Sequence, residues 1–281
     1  MKLLASDTIR RCLIADPGMS ILSADFDQIE LRVIAALAGE QVMIDAAHRG
    51  ESLHKATAAQ MFRETYTPDE YRYSKNLNFG WAFGGGAQTL SEQTGLPLAK
   101  CTELIRSFEE AFPALRAFKR KVIQQVLDQA LNQFEQKRYR ALRSEMYNLR
   151  TDTRDGKAAR KLIQGQIDRL MYGKTATVVN AFGRPLIVDA SKAYAGVNYL
   201  VQSTAAELMK HALLDVMAQP DLEPTVLLVV HDELIGQAPK RKAEVIATRY
   251  GEVMSREFQG VPITASGKVY GRSWGDGYTR D

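Results

Sequence analysis

Residues 225–238, TVLLVVHDELIGQA, run six β-forming residues into His231, Asp232 and Glu233 and then return to apolar residues. The flanking runs read as two strands and the titratable trio as the tip of the hairpin that joins them. Near the other end of the chain, MSILSADF at 19–26 alternates, is rich in apolar residues and closes on Asp25. Ile29, Val33 and Leu37 then fall at helical spacing before Gly39, so this strand feeds a helix. If the two strands are neighbours, Asp25 and Asp232 converge. Hard cations such as Mg²⁺ take a few carboxylate oxygens and share their remaining positions with water and phosphate. Two aspartates therefore suit a metal pair about 3.5–4 Å apart, built for in-line phosphoryl displacement. For Asp232 alone the plainer reading, that aspartate is common at turns, stays open.

The rest of the chain sets the frame. Its 281 residues suffice for a substantial core in one large domain or two subdomains. A net charge of +4 is compatible with a polyanionic partner without requiring one. Cys12 and Cys101, far apart and outside any Cys/His cluster, argue against a disulfide framework or a structural zinc site and for a reducing compartment. No apolar run is long enough to span a bilayer, and MKLLASDTIRR is too polar after Leu4 for a secretory signal. The expectation is a soluble cytoplasmic protein with no membrane partner.

Between the two carboxylate-bearing strands the pattern is helical. Residues 54–62 and 71–83 read as helices, the second ending at Gly84, Gly85 and Gly86, and more helix follows from 87 to about 126. From about 124 to 172 the chain is polar and basic, with Lys137, Arg138, Arg140, Arg143, Arg150, Arg154, Arg160 and Lys161 outweighing the acids. This reads as a helical insertion. VVNAFGRPLIVD resembles a hairpin around Gly183, Gln202 to Val216 an amphipathic helix, and the region near PITASGKVYG a final strand pair. Strands at both ends with helices between imply an α+β fold, an antiparallel sheet interrupted by a helical excursion.

In EYRYSKNLNFGWAFGGG, Tyr71, Lys75, Phe79 and Phe83 recur every four residues and Arg72 lies three before Lys75, so cations and rings share one broad face. Such a face suits a nucleotide, with Arg72 and Lys75 toward phosphates and Phe79 and Phe83 toward a sugar and a base. An aromatic core stripe beside a solvated lysine is the alternative.

These residues carry a resemblance. SADFDQIELRVIAALAGE looks like motif A of the family A DNA polymerases, the relatives of bacterial DNA polymerase I, usually D-Y-S-Q-I-E-L-R; KNLNFGWAFG resembles motif B and VVHDEL motif C. The order is the family's, and SLHKATA and NYLVQSTAAELMK extend the match to most of the chain outside the basic insertion. The resemblance implies a palm sheet at 1–55 and 178–281, with a fingers subdomain at 56–177 that includes the insertion at 124–172. It implies that Asp25 and Asp232 hold two Mg²⁺ ions with Glu233 as an auxiliary carboxylate, and that His231 touches the primer end. Glu30 matches the residue that crowds the sugar 2′ position. His54 and Lys75 match triphosphate contacts, Phe79 the ring on the incoming sugar, and Phe83 the tyrosine at the templating position. Asn198 and Gln202 match residues near the template and primer minor groove, and Arg32 an arginine that supports the site.

The sequence departs from that pattern in places. Tyr71 stands at the usual first arginine of motif B, with Arg72 one residue later. Phe replaces Tyr at 26 and 83, and Asp27 stands where serine is common. The family's thumb, its Thr-Gly-Arg primer grip and its exonuclease domain do not precede Asp25. The chain is then a fragment, or a separate polypeptide supplies thumb or processivity function, or the insertion partly replaces it. The implied partners are primer-template DNA and deoxynucleoside triphosphates in a bacterial or phage-infected cell. Two alternatives accompany this reading. A single-subunit RNA polymerase shares the palm but is disfavoured by Glu30, and a noncatalytic polymerase-derived subunit is disfavoured by intact Asp25, Lys75 and Asp232.

Overall fold

A computed structural model of the chain describes residues 8–82, 84–149, 153–222 and 225–278. Phe83, read from sequence as the ring at the templating position, lies outside them. Residues 8–12 are helical, and after them come β1 (Met19–Phe26), α1 (Ile29–Ala38), α2 (Gln41–His48), α3 (Leu53–Phe62) and α4 (Pro68–Ala82). It continues through α5 (Ala87–Thr94), α6 (Leu98–Ala111), α7 (Pro113–Ala130), α8 (Gln133–Asn148) and α9 (Arg154–Met171). Then come β2 (Thr175–Val179), β3 (Pro185–Asp189), α10 (Ala195–Met217), β4 (Val226–Val230) and β5 (Glu233–Pro239). Then follow α11 (Ala243–Met254), β6 (Arg256–Phe258), β7 (Val261–Ile263), β8 (Ala265–Gly271) and a 3-10 turn at Trp274–Tyr278. Among the described residues no helix is long and apolar enough to cross a membrane.

The chain divides into two compact units, 1–56 with 203–281, and 57–202. The first holds a four-stranded antiparallel sheet in the order β4-β5-β1-β8. β1 is central, and its alternation decides both faces. Leu22, Ala24 and Phe26 point with Leu234 and Ala238 to one side, all buried. Ile21, Ser23 and Asp25 point with Ile235 and Glu233 to the other. α11 lies on the first side, close enough that a Cβ on Gly267 would collide with the carbonyl of Ala247, and one on Gly251 would fall 2.9 Å from the Ala265 oxygen. Beneath this helix the fully buried Tyr250 shares a 2.6 Å hydrogen bond with the Thr225 hydroxyl. On the opposite face Ile21 and Ile235 meet Ala15 and Trp274 in a small apolar cluster.

The final strands depart from the sequence reading. β7 pairs with β6, whereas β8 leaves that hairpin to join β1, so the PITASGKVYG region is split between two sheets. Thr264 separates them. Two strands contiguous in sequence need not be partners, and local alternation carries no information on which ladder each joins.

The second unit is helical, with the β2–β3 hairpin packed on α7. Gln129 of α7 pins the hairpin edge, donating to the Thr177 carbonyl and accepting from its N–H, both at 3.0 Å. The hairpin turns through Gly183 at φ 83. β2, β3 and the first residues of α10 belong to this unit, whereas the sequence reading returned to the palm at 178. Trp81 of α4 packs on Phe108, and Phe108 on Phe112, with centroids 5.3 and 4.9 Å apart. Lys119 Nζ donates to the Trp81 carbonyl at 3.1 Å and sits 4.2 Å from the Trp81 ring centroid, and burial lowers its pKa. The insertion read at 124–172 is helical, comprising the end of α7 with α8 and α9. A reciprocal Asn132–Glu135 capping box opens α8, and Thr153 caps α9 by accepting from Gly156 N–H.

Candidate active site

The β4–β5 hairpin turns on His231 and Asp232 alone, since Val230 and Glu233 are already paired. His231 takes φ 56, a left-handed conformation that a side chain adopts at a cost. The register of β1 against β5 sets Asp25 opposite Glu233, and the Phe26 N–H donates to the Asp232 carbonyl at 3.2 Å. Asp25 and, more than two hundred residues later in sequence, Asp232 and Glu233 thus meet at one end of the central strand pair.

Their electrostatics are mutually unfavourable. Asp25 is exposed as a residue, yet the protein around its carboxyl displaces enough water to push its pKa up to about 6. The charges of Asp232, Glu233 and Asp27 push the same way, and Lys268 opposes them. Asp232 is likewise raised, first by desolvation and also by Glu233, against its own backbone N–H and His231. Lys268 comes from β8, where it stands opposite Ser23. Glu233 accepts from Tyr270 Oη at 2.9 Å, and Tyr270 Oη accepts from Ser23 Oγ at 3.0 Å.

The turn into α1 is equally tied. Asp27, the carboxylate standing where serine is usual, accepts from Thr264 Oγ1 at 3.0 Å and from Ser266 Oγ at 3.1 Å. Arg32 is buried and donates to the carbonyls of Asp27 at 2.7 Å and Pro262 at 2.6 Å, so it clamps the β1–α1 turn to β7. Burial lowers its pKa, with Asp27 opposing. Gln28, at φ 55, precedes α1, donates to Ser52 Oγ at 3.2 Å and leaves its buried Oε1 without a hydrogen-bond partner. Glu30 lies in the first turn of α1, half-buried, and His54 is buried near the start of α3.

The remaining sequence candidates lie in the second unit. Lys75 is exposed on α4. Arg72 is exposed and pairs with Asp69 at 3.0 Å, one helical turn away, with its guanidinium 5.7 Å from the Tyr73 ring centroid. Tyr71 stacks on Tyr66 at 6.2 Å. Phe79 is carried by α4 four residues beyond Lys75. On α10 Gln202 is exposed, and Asn198 holds a buried Oδ1 without a hydrogen-bond partner. The structure therefore joins Asp25, Asp232 and Glu233 in one cluster, with Glu30, His54 and His231 in the same unit.

Thr264, Ser266, Lys268 and Tyr270 were missed. Ser266, Lys268 and Tyr270 alternate in ASGKVYG, a period-two signal for one face of a strand. What could not be read was that this face carries Asp25.

Among the described residues no group of three or more His, Cys, Asp or Glu side chains forms a ready-made metal cage. Two carboxylates with raised pKa values and a third beside them do fit hard divalent cations, which take one or two carboxylates plus water and substrate oxygens. Cation binding would relieve both the desolvation that mainly raises Asp25 and the repulsion that adds to it.

Comparison with known proteins gives the family. A model of DNA polymerase family A matches residues 2–276. The DNA polymerase of Mycobacterium phage D29 is 32% identical over 280 residues, covering 99% of this chain and 38% of the phage protein. The thermostable DNA polymerase I of Thermus aquaticus is 31% identical over 250 residues, covering 88% of this chain and 26% of the relative. Among solved structures, the POL domain of Pol1 from M. smegmatis, in complex with DNA primer-template and dNTP, superposes with a TM-score of 0.71 at 22% identity. That match covers 98% of this chain and 43% of the mycobacterial one. The fold is thus that of part of a polymerase domain. The chain belongs to DNA polymerase family A, and it spans well under half the length of these relatives.

Proposed function

We propose that this chain is the catalytic module of a template-directed DNA polymerase, adding deoxynucleotides to a primer 3′ end by two-metal phosphoryl transfer. The observation that carries the reading is the convergence of Asp25, Asp232 and Glu233, with Asp25 and Asp232 both raised in pKa, in a chain of this family. Asp25 and Asp232 are the residues that would hold two Mg²⁺ ions, with Glu233 alongside. Bound there, Mg²⁺ supplies charge neutralisation at the primer 3′ oxygen, the transferring phosphoryl group and the leaving pyrophosphate.

The protein's own part is placement. The β1–β5 register sets the backbone of Asp25, and the Phe26 N–H bond to the Asp232 carbonyl sets that of Asp232, so the two carboxylates start from neighbouring backbone positions. Tyr270 fixes one oxygen of Glu233. His231 is assigned to the primer end and Glu30 to exclusion of a 2′ hydroxyl. His54, Arg72 and Lys75 are assigned to the triphosphate, and Phe79 to the incoming sugar. Phe83 is assigned to the templating base, and Asn198 and Gln202 to the minor groove. The family resemblance supports each of these roles. Partners are then primer-template DNA, deoxynucleoside triphosphates and a polypeptide segment supplying thumb or processivity function.

The test is primer extension by the purified chain with Mg²⁺, offering deoxynucleotides and ribonucleotides separately. Deoxynucleotide addition above an Asp232→Ala control is expected. Duplex binding with no addition at any Mg²⁺ concentration would instead favour a noncatalytic DNA-binding subunit.

A further inference from the structure

The helical pair α8–α9 carries a surface that the polymerase reading does not use. Arg140, Arg143 and Tyr147 recur at i, i+3 and i+7 on α8, and Lys157, Arg160 and Lys161 at i, i+3 and i+4 on α9, so each trio shares one flank of its helix. The flanks meet: Arg143, Tyr147 and Arg160 line one open recess together with Met146 and Leu149. Among the described residues none of these five cations forms a salt bridge, and all are exposed. Of the acids on these two helices, Glu145 and Asp155 are exposed and form no salt bridge among the described residues. Glu135 pairs with Lys174 at 2.7 Å, and Asp168 accepts from Gln164 at 2.8 Å. The Tyr147 ring is 89% exposed although a large apolar surface gains by burial, and it lies one turn beyond Arg143.

We propose that this recess binds single-stranded nucleic acid, with phosphates on Arg143, Arg160 and their neighbours and an unpaired base stacked on Tyr147. Cations alone would suit any phosphate backbone. The exposed ring selects the single strand, because a base inside a duplex has its faces covered, whereas an unpaired base offers one to stack on. The site lies wholly within the unit of residues 57–202 and does not depend on the carboxylate cluster or on any metal.

Binding of the whole chain to a labelled oligothymidylate, and to a blunt duplex of equal length, tests this in EDTA across a salt series. Lys100→Gln, at an exposed cation of α6 outside the recess, serves as a control whose binding should not change, and the EDTA keeps the test independent of the polymerase reading. Tyr147→Ala should weaken oligothymidylate binding about tenfold, the scale of one lost base stack, and barely affect duplex binding. Tyr147→Phe, which keeps the ring, should bind like the parent. Arg143→Gln with Arg160→Gln removes two phosphate contacts and should make the log–log salt slope shallower by about 1.4. Circular dichroism and thermal melting establish that each variant is folded. Failure of the parent chain to bind oligothymidylate overturns the proposal, as does Tyr147→Ala binding at parental affinity. Equal losses on duplex and single strand would assign the recess to duplex phosphates instead, which also overturns it.

Discussion

Asp25 and Glu233 are direct partners across the β1–β5 ladder, two carboxylates facing each other with Asp232 next in the chain. The protein holds them there against their repulsion. Loss of water around the carboxyl first, and those neighbouring charges second, push the Asp25 pKa from 3.8 up to about 6, and the sign of its effect on stability follows. Between those values the folded state binds more protons than the unfolded state, so folding stability falls as pH rises through this window and stays reduced above it. Asp25→Asn should thus raise the Tm of the protein at pH 7.5 in EDTA and leave it nearly unchanged at pH 3.5. Melting curves at the two pH values decide, and a variant less stable at pH 7.5 would contradict the assignment of strain to this carboxylate.

Asp232→Ala removes the other half of the pair. On the proposed mechanism it costs on the order of 3 kcal/mol or more of transition-state stabilisation, about a hundredfold in extension rate. DNA affinity in EDTA should survive. Near-parental extension by a folded variant would remove Asp232 from the metal site.

Glu30 and Phe79 test the proposed nucleotide contacts. Glu30→Ala should raise ribonucleotide incorporation relative to deoxynucleotide, and Phe79→Tyr should raise acceptance of a nucleotide lacking the 3′ hydroxyl. Single-nucleotide competition assays read both. Unchanged discrimination in the two variants together would discard those contacts.

Arg32 makes a prediction about stability alone. Its guanidinium is the donor to two backbone carbonyls, those of Asp27 and Pro262. Arg32→Met leaves both without that donor in a buried setting and should cost about 3 kcal/mol, measured by urea denaturation. Arg32→Lys, without the planar fork, should recover only part of it. A loss below about 1 kcal/mol in Arg32→Met would show that water replaces the guanidinium.

The central hairpin and strand were legible because their signal is local. Alternation in MSILSADF and the apolar runs flanking His231 give strand limits within a residue or two of β1, β4 and β5. Asp25 and Asp232 followed from sitting at strand ends. Partnership was not legible, since nothing in PITASGKVYG tells that β7 pairs with β6 while β8 crosses to β1. Lys268 and Tyr270 stayed invisible for the same reason, because they reach the site only through that crossing. The Asp69–Arg72 pair and the Tyr66–Tyr71 stack are local but were not legible either, because helical periodicity marks a face and does not say which side chains on or beside it pair.

Tyr270 offers the last prediction. Its hydroxyl stands between the buried Ser23 and Glu233, accepting from one and donating to the other, so it fixes a Glu233 oxygen. Tyr270→Phe strands the Ser23 donor and frees Glu233, at about 1–2 kcal/mol in stability. If Glu233 assists metal binding, the Mg²⁺ concentration for half-maximal extension should rise several-fold while the rate at saturating Mg²⁺ stays near parental. A residue acting only through folding would not shift the Mg²⁺ midpoint in that way. Ser23→Ala in the Tyr270→Phe background removes the stranded donor, so the double variant should be more stable than the sum of the single losses predicts. Superimposable Mg²⁺ titrations for Tyr270→Phe and the parent would show that this hydrogen bond holds the strand and not the site.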